Sequence, residues 1–207
     1  MITILSEIEQ DALLEVLNLG MGRAADALSR MVDEEVLLSV PRLFFISLPE
    51  ACRMIGDDPA ATMSAVRQLF SGPFIGSSLL IYPRAKSLEL IRCLLREEVS
   101  LEECQALEQE SLTEVGNIIL NACLGCLANL MELEIHCELP EYLQATCDAL
   151  LGSHTIDAER TEKILLLYVD FLLRDHAVKG EVVLLFDTVA ITHLKNELAG
   201  ILKRYEN

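Results

Sequence analysis

One pattern occurs twice in this chain, and that repetition restricts it to folds built from two like halves. Asp11-Ala-Leu-Leu-Glu15-Val-Leu-Asn18 is matched by Glu110-Ser-Leu-Thr-Glu114-Val-Gly-Asn117 at an offset of 99 residues. From Asn18 to Pro41 there are 22 intervening residues, and from Asn117 to Pro140 there are again 22. Each Pro ends a run of strand type, Glu35-Val-Leu-Leu-Ser-Val-Pro41 in one copy and Glu134-Ile-His-Cys-Glu-Leu-Pro140 in the other. The chain has only six Asn and six Pro, so chance does not account for the shared spacing. Further along, Phe74-Ile-Gly76-Ser-Ser-Leu-Leu-Ile-Tyr82 parallels Val178-Lys-Gly180-Glu-Val-Val-Leu-Leu-Phe186 at an offset of 104, so the second copy has gained about five residues. The polar stretch Gly152 to Glu162 is where that insertion is expected.

Each half reads as a long helix, a strand, a short helix, two strands and a closing helix. Ser6 to Met31 and Leu101 to Met131 carry apolar residues at three- and four-residue spacing and predict the long helices. Gly20 and Gly22 weaken the first and leave room for a break into two. The expected strands are Glu35 to Leu48, Thr62 to Phe70 and Phe74 to Tyr82, then Glu134 to Leu139, Lys163 to Leu173 and Val178 to Phe186. Ser71-Gly72-Pro73 is a turn signal, with Asp175-His176 in the matching place, so each pair predicts a hairpin. Ala85 to Arg96 and Val189 to Tyr205 are the closing amphipathic helices. No Gly/Ser-rich linker divides the halves. The fold class expected is α/β (α+β): one domain over 1–207, with repeats over about 4–98 and 101–207, whose halves share a sheet in a pseudo-twofold arrangement with the long helices packed on it.

Composition narrows the class of partner. With 207 residues, 52% hydrophobic and 24% charged, the chain can bury a core and is not intrinsically disordered. A formal net charge of −17 argues against nucleic acid or an anionic membrane as the main partner. The N-terminal MITILSEIEQ has no basic segment and reaches Glu7 too early for a secretory signal. The most apolar stretch, Ile164 to Leu173, contains Asp170 and is far short of the roughly 20 residues a membrane span needs. Seven cysteines, several among apolar neighbours (Cys93, Cys123, Cys126), fit reduced buried thiols, and the cytoplasm is the expected location, without membrane insertion.

On a helix advancing about 100° per residue, Asp11, Glu15 and Asn18 fall on one narrow line that Gly22 extends. Glu110, Glu114, Asn117 and Asn121 repeat it. Nearly everything between is apolar, so each helix is expected to be buried except for its stripe. In an arbitrary protein such stripes are most simply solvated faces. A solvated face, however, takes Lys, Glu, Gln or Arg alike, and helix interiors disfavour Asn, yet both stripes keep carboxylate and amide in one order and spacing. A carboxamide can orient a water through donor and acceptor together, while the carboxylate pairs with a cation on a partner. That combination suits hydrolysis of a phosphoryl group already held by another protein's metal, where positioning the water is most of the catalysis.

The pattern acidic-or-Ser, x3, Glu, x2, Asn, x22, Pro, present twice, resembles the CheC/CheX/FliY phosphatases of bacterial chemotaxis over nearly the whole chain. Two copies are more like CheC than CheX or FliY, and the resemblance implies a CheC-like fold. It also implies that the chain dephosphorylates a CheY-type response regulator. Glu15 and Glu114 would pair with the receiver's active-site lysine, and Asn18 and Asn117 would aim water at its phospho-aspartate. Asp11, Gly22, Glu110 and Asn121 would complete the partner-binding stripes. Mg²⁺ would belong to the receiver, this chain binding no cofactor of its own. CheC-like proteins can also bind the receptor deamidase CheD.

The copies depart from the family pattern in particular places. The family commonly has Gly before the motif Asn, as Gly116 here, but the first copy has Leu17. The second copy has Ile119-Leu120-Asn121 where Gly-x-Gly commonly follows, and Glu110 replaces the usual Asp or Ser. Other motifs carry less. Cys123-x2-Cys126 has no second CxxC at zinc spacing and no basic neighbour to lower a thiol pKa, so it reads as structural. His136-Cys137 between Glu134 and Glu138 reads as a half-exposed strand face. His154, His176 and His193 lack a matching nucleophile motif. Gly20-x-Gly22 follows no strand and has no Lys, so it is not a phosphate loop, and Asp33-Glu34-Glu35 is a solvated turn. Two rivals stand beside the phosphatase: a non-catalytic scaffold for a receiver, for CheD or for the flagellar switch, and a metal-dependent small-molecule hydrolase.

Overall fold

A computed structural model describes residues 5–56, 58–73, 75–95, 100–152, 163–173, 176–186 and 188–205. The elements run α1 (Glu7–Val32), β1 (Val36–Ile46), α2 (Leu48–Ile55), β2 (Thr62–Ser71), β3 (Gly76–Pro83) and α3 (Arg84–Leu95), then α4 (Leu101–Leu130), β4 (His136–Cys137), β5 (Glu141–Thr146), α5 (Cys147–Gly152), β6 (Lys163–Leu173), β7 (His176–Phe186) and α6 (Thr188–Tyr205). The long helices begin at capping boxes, in which Ser6 and Ser100 exchange hydrogen bonds with Glu9 and Glu103 and satisfy amides that the first turn leaves open.

The seven strands form one antiparallel sheet in the order β1-β6-β7-β3-β2-β4, with β5 beside β4 on the same edge of β2. The halves exchange strands. β1 leaves the first half to pair with β6, and β4 and β5 leave the second half to pair with β2. At the centre, β3 lies against β7 with Leu79 facing Val183, residues related by the 104-residue offset.

Alternation along the strands feeds two cores. One face, with Val66, Leu80, Tyr82, Leu165, Leu167, Val182 and Leu184, packs under α1, α3, α4 and α6. The other, with Met63, Ala65, Leu79, Ile81, Ile164, Leu166 and Val183, packs under the short helices α2 and α5. Buried on both faces, β3 is an unbroken run of core positions from Gly76 to Tyr82.

The structure changes several sequence expectations. Helix α1 does not break at Gly20 or Gly22. A Cβ at Gly20 would come within 2.5 Å of Cys126 Sγ and 3.1 Å of the Ala122 carbonyl oxygen, so this glycine lets α1 lie close against α4. The strand expected over Glu134 to Leu139 pairs only at His136–Cys137, and the chain pairs again after Pro140 as β5. Proline has no N–H to give a ladder. Its first-copy counterpart, Pro41, is absorbed in a bulge where Val40 and Pro41 together oppose the single residue between Tyr168 and Asp170. The expected insertion over Gly152 to Glu162, apart from Gly152 itself, lies outside the described residues, as do Asp175 and His154.

Glu181 on β7 is buried, and its Oε2 has no hydrogen-bond partner among the described residues. Desolvation raises its carboxyl pKa from 4.5 to about 7. The folded state therefore holds this proton where the unfolded chain has released it, so stability declines as pH rises toward 7 and levels off above it. Glu181→Gln is expected to remove that decline. Denaturant unfolding at several pH values should show the variant's advantage widening from about pH 5 to pH 8, to at most about 3 kcal/mol. Parallel stability curves for the two proteins would contradict the assignment.

Candidate functional site

Both stripes emerge on the outer faces of their helices. On α1, Asp11, Glu15 and Gly22 are exposed and Asn18 is half-buried. On α4, Glu110, Glu114 and Asn121 are exposed and Asn117 is half-buried. The inward positions anchor them: Leu13, Leu17 and Met21 under one stripe, and Leu112, Val115 and Ile119 under the other, are all within 1% of complete burial. Side chains of this size contribute about 1.5–3 kcal/mol each when fully buried. Neither Glu15 nor Glu114 has an ion-pair partner among the described residues.

The two motif amides are tethered by their oxygen ends, through different partners. Asn18 Oδ1 accepts the backbone N–H of Val40 at 2.8 Å. Val40 sits in the β1 bulge, where the register skips it and Pro41, so its N–H is available to the helix. The 22-residue spacing from Asn to Pro is thus a contact between helix and strand. In the second copy, Asn117 Oδ1 accepts instead from Asn121 Nδ2 at 2.7 Å. Asn121 Oδ1 accepts from Gln68 Nε2 at 3.2 Å, and Gln68 also donates to the Glu138 carbonyl oxygen at 3.0 Å. A carbonyl oxygen has two lone pairs. Each motif Asn therefore keeps one acceptor position and its N–H₂ donors for a ligand.

No family-level sequence profile matches the chain. The chain is 26% identical over 140 residues to the CheY-P phosphatase CheC of Bacillus subtilis (strain 168), an alignment covering 66% of each protein. In fold it resembles Thermotoga maritima FliY, with a TM-score of 0.74 at 17% identity over 96% of this chain and 99% of that one. The chain is thus similar to CheC in sequence and to FliY in fold. The same architecture occurs in the FliM middle domain from H. pylori, with a TM-score of 0.62 at 10% identity over 93% of this chain and 99% of that one.

Within the family pattern, the residue before the motif Asn proves to be a packing position. Leu17 is 0% exposed and points into the core, away from any partner on the stripe. Its counterpart Gly116 lies so close to β2 that a Cβ would meet Val66 Cγ1 at 2.5 Å. Leu139, the residue before Pro140, is 93% exposed, whereas its counterpart Val40 is 1% exposed.

Sequence reasoning missed the polar groups buried between the sheet and α4. Gln68 is one. Another is Glu108, buried on α4, which accepts from Ser64 Oγ at 2.5 Å, Ser87 Oγ at 2.8 Å and Gln144 Nε2 at 3.3 Å. Tyr142 adjoins this network through Ser64 and Gln144, and burial pushes its hydroxyl pKa up. Arg67 ion-pairs with Glu141 and ties β5 to β2. The available signal was three polar residues, Ser64, Arg67 and Gln68, in a strand otherwise built for burial.

The remaining motifs take structural places. Cys123 and Cys126 are buried, and desolvation pushes both thiols up, Cys123 the more strongly. His136 and His193 are exposed. Among the described residues, no group of three or more His, Cys, Asp and Glu is placed to hold a metal ion. One described helix, over Glu102–Leu130, is long and apolar enough to cross a membrane by length and composition, and half of its apolar window is buried inside the protein.

Proposed function

We propose that this chain hydrolyses the aspartyl phosphate of a CheY-type response regulator, using each stripe as a site. The observation that carries the reading is the presence of two exposed stripes, each joining a carboxylate without an ion-pair partner among the described residues to an amide tethered by its oxygen. Glu15 and Glu114 dock the receiver's lysine. Asn18 and Asn117 hold a water in line with the phosphorus. The water oxygen bonds to phosphorus, the bond to the aspartyl oxygen breaks, and inorganic phosphate and a free carboxylate result. Mg²⁺ held by the receiver would supply the charge neutralisation at the phosphoryl oxygens. The similarity to a protein named CheY-P phosphatase supports the substrate class.

A receiver- or CheD-binding scaffold is the second reading, because exposed stripes suit docking as well as catalysis and a fold does not bring an activity with it. Following the decay of a phosphorylated CheY-type receiver separates them. Decay is expected to be faster with the wild-type chain and to return to the receiver's own rate with Glu15→Lys/Glu114→Lys. A wild-type chain that binds the receiver and leaves its decay unchanged overturns the phosphatase and leaves the scaffold.

A further inference from the structure

We infer that Gln68 and Asn121 form a relay of carboxamides that positions Asn117, doing for the second copy what one backbone N–H does for the first. The inference rests on the phosphatase reading of the α4 stripe. An isolated amide has no fixed sense, because its oxygen and nitrogen ends are nearly isosteric. Here the sense is set from the sheet outward. The Glu138 carbonyl can only accept, so the nitrogen end of Gln68 faces it, at 3.0 Å. The same nitrogen meets Asn121 Oδ1 at 3.2 Å, which turns the N–H₂ of Asn121 toward Asn117 Oδ1, at 2.7 Å. Asn117 is left with its N–H₂ for a ligand, the same end that Asn18 presents once Val40 has taken its oxygen.

The repeat explains why a relay is needed. At the 99-residue offset Gly22 corresponds to Asn121, and Val40 corresponds to Leu139. In the first copy Val40 is buried under α1 and supplies its own N–H, and among the described residues nothing beyond Gly22's own helical turn lies within 4 Å of where its Cβ would be. In the second copy the strand stops pairing at Cys137 and Leu139 is 93% exposed. Asn121 occupies the gap, with Gln68 behind it. Gln68 is 2% exposed, and its Oε1 is buried without a partner among the described residues, a cost that an apolar residue on β2 would avoid. Its two donor contacts are what the position provides in return.

The experiment measures phosphate release from a phosphorylated CheY-type receiver in an Asn18→Ala background, where only the second copy can act. Asn121→Asp removes the donor, so Asn117 turns its N–H₂ inward to the new carboxylate. This variant is expected to lose about tenfold or more in kcat with KM held within about twofold. Gln68→Met should lose kcat in the same direction and by less. A structural role is separated by repeating Gln68→Met in an Asn117→Ala background, where release by the first copy should persist at its former rate. Unchanged kcat in both relay variants, or an equal loss through the first copy, overturns the relay. If the Asn18→Ala protein is inactive while Asn117→Ala is active, the α4 stripe is not a site and the relay falls while the reading of the first copy stands. If both are inactive while wild type is active, the two copies act only together and an independently positioned Asn117 is overturned. If wild type is inactive, the phosphatase reading itself has failed.

Discussion

Replacing Asn18 and Asn117 together by Ala is expected to lower the acceleration of receiver dephosphorylation by at least about 100-fold, the order of effect that attends a misplaced reacting group. Each single variant should retain a measurable share, because the two amides are tethered separately, one by Val40 and the other by Asn121. The fold should survive. Both positions are half-buried on long helices, and Ala is the better helix former. Asn18→Ala leaves the Val40 N–H without its acceptor, at a cost of about 1 kcal/mol, while Asn117→Ala frees only an exposed amide on Asn121. Phosphate release and denaturant unfolding, measured on the same preparations, separate lost chemistry from lost structure. A double variant that keeps most of the acceleration would show that the amides do not position the water.

The second large effect concerns stability. The residues before the two motif amides should not be interchangeable, although the stripes they support match. Leu17→Ala is expected to cost about 3 kcal/mol, because it opens a cavity under α1 at a fully buried site. Gly116→Leu meets the opposite difficulty. Its Cβ alone would sit 2.5 Å from Val66 Cγ1, so α4 must withdraw from β2, at a cost of at least about 1–3 kcal/mol. Val66→Ala, which removes the obstructing methyls, should recover part of the loss. A Gly116→Leu protein within about 0.5 kcal/mol of wild type would contradict the packing described here.

These two residues also show what was legible in the sequence. The outward line of Asp11, Glu15 and Asn18 followed from helical periodicity, and its repetition at Glu110, Glu114 and Asn117 marked it as more than a solvated face. Periodicity placed Leu17 on the inward side of α1, and it is fully buried. The helices and hairpins were legible because helical periodicity, turn residues and strand alternation are local signals.

Pairing across the chain was not. Nothing in Val36–Ile46 or Glu141–Thr146 says that each strand joins the other half's hairpin, because that choice is made by packing far along the sequence. Gly20 looked like a helix breaker, since the sequence does not show that Cys126 will lie against it. Gln68 and Glu108 were hidden for a related reason: their importance lies in partners 53 residues away in one case and 44 and 21 away in the other. The Asn-to-Pro spacing was visible as a number, and its cause, a strand N–H released by a bulge, became visible only with the register.

On the proposed reading this chain turns a receiver over and does more than hold it. The most direct measurement is the amount and rate of phosphate released when a phosphorylated CheY-type receiver, with Mg²⁺, is in large excess over the wild-type chain. Release is expected to be faster than the receiver's own hydrolysis, with many phosphates formed per chain. Release at the receiver's own rate, with a complex of chain and receiver present in the same sample, would contradict it.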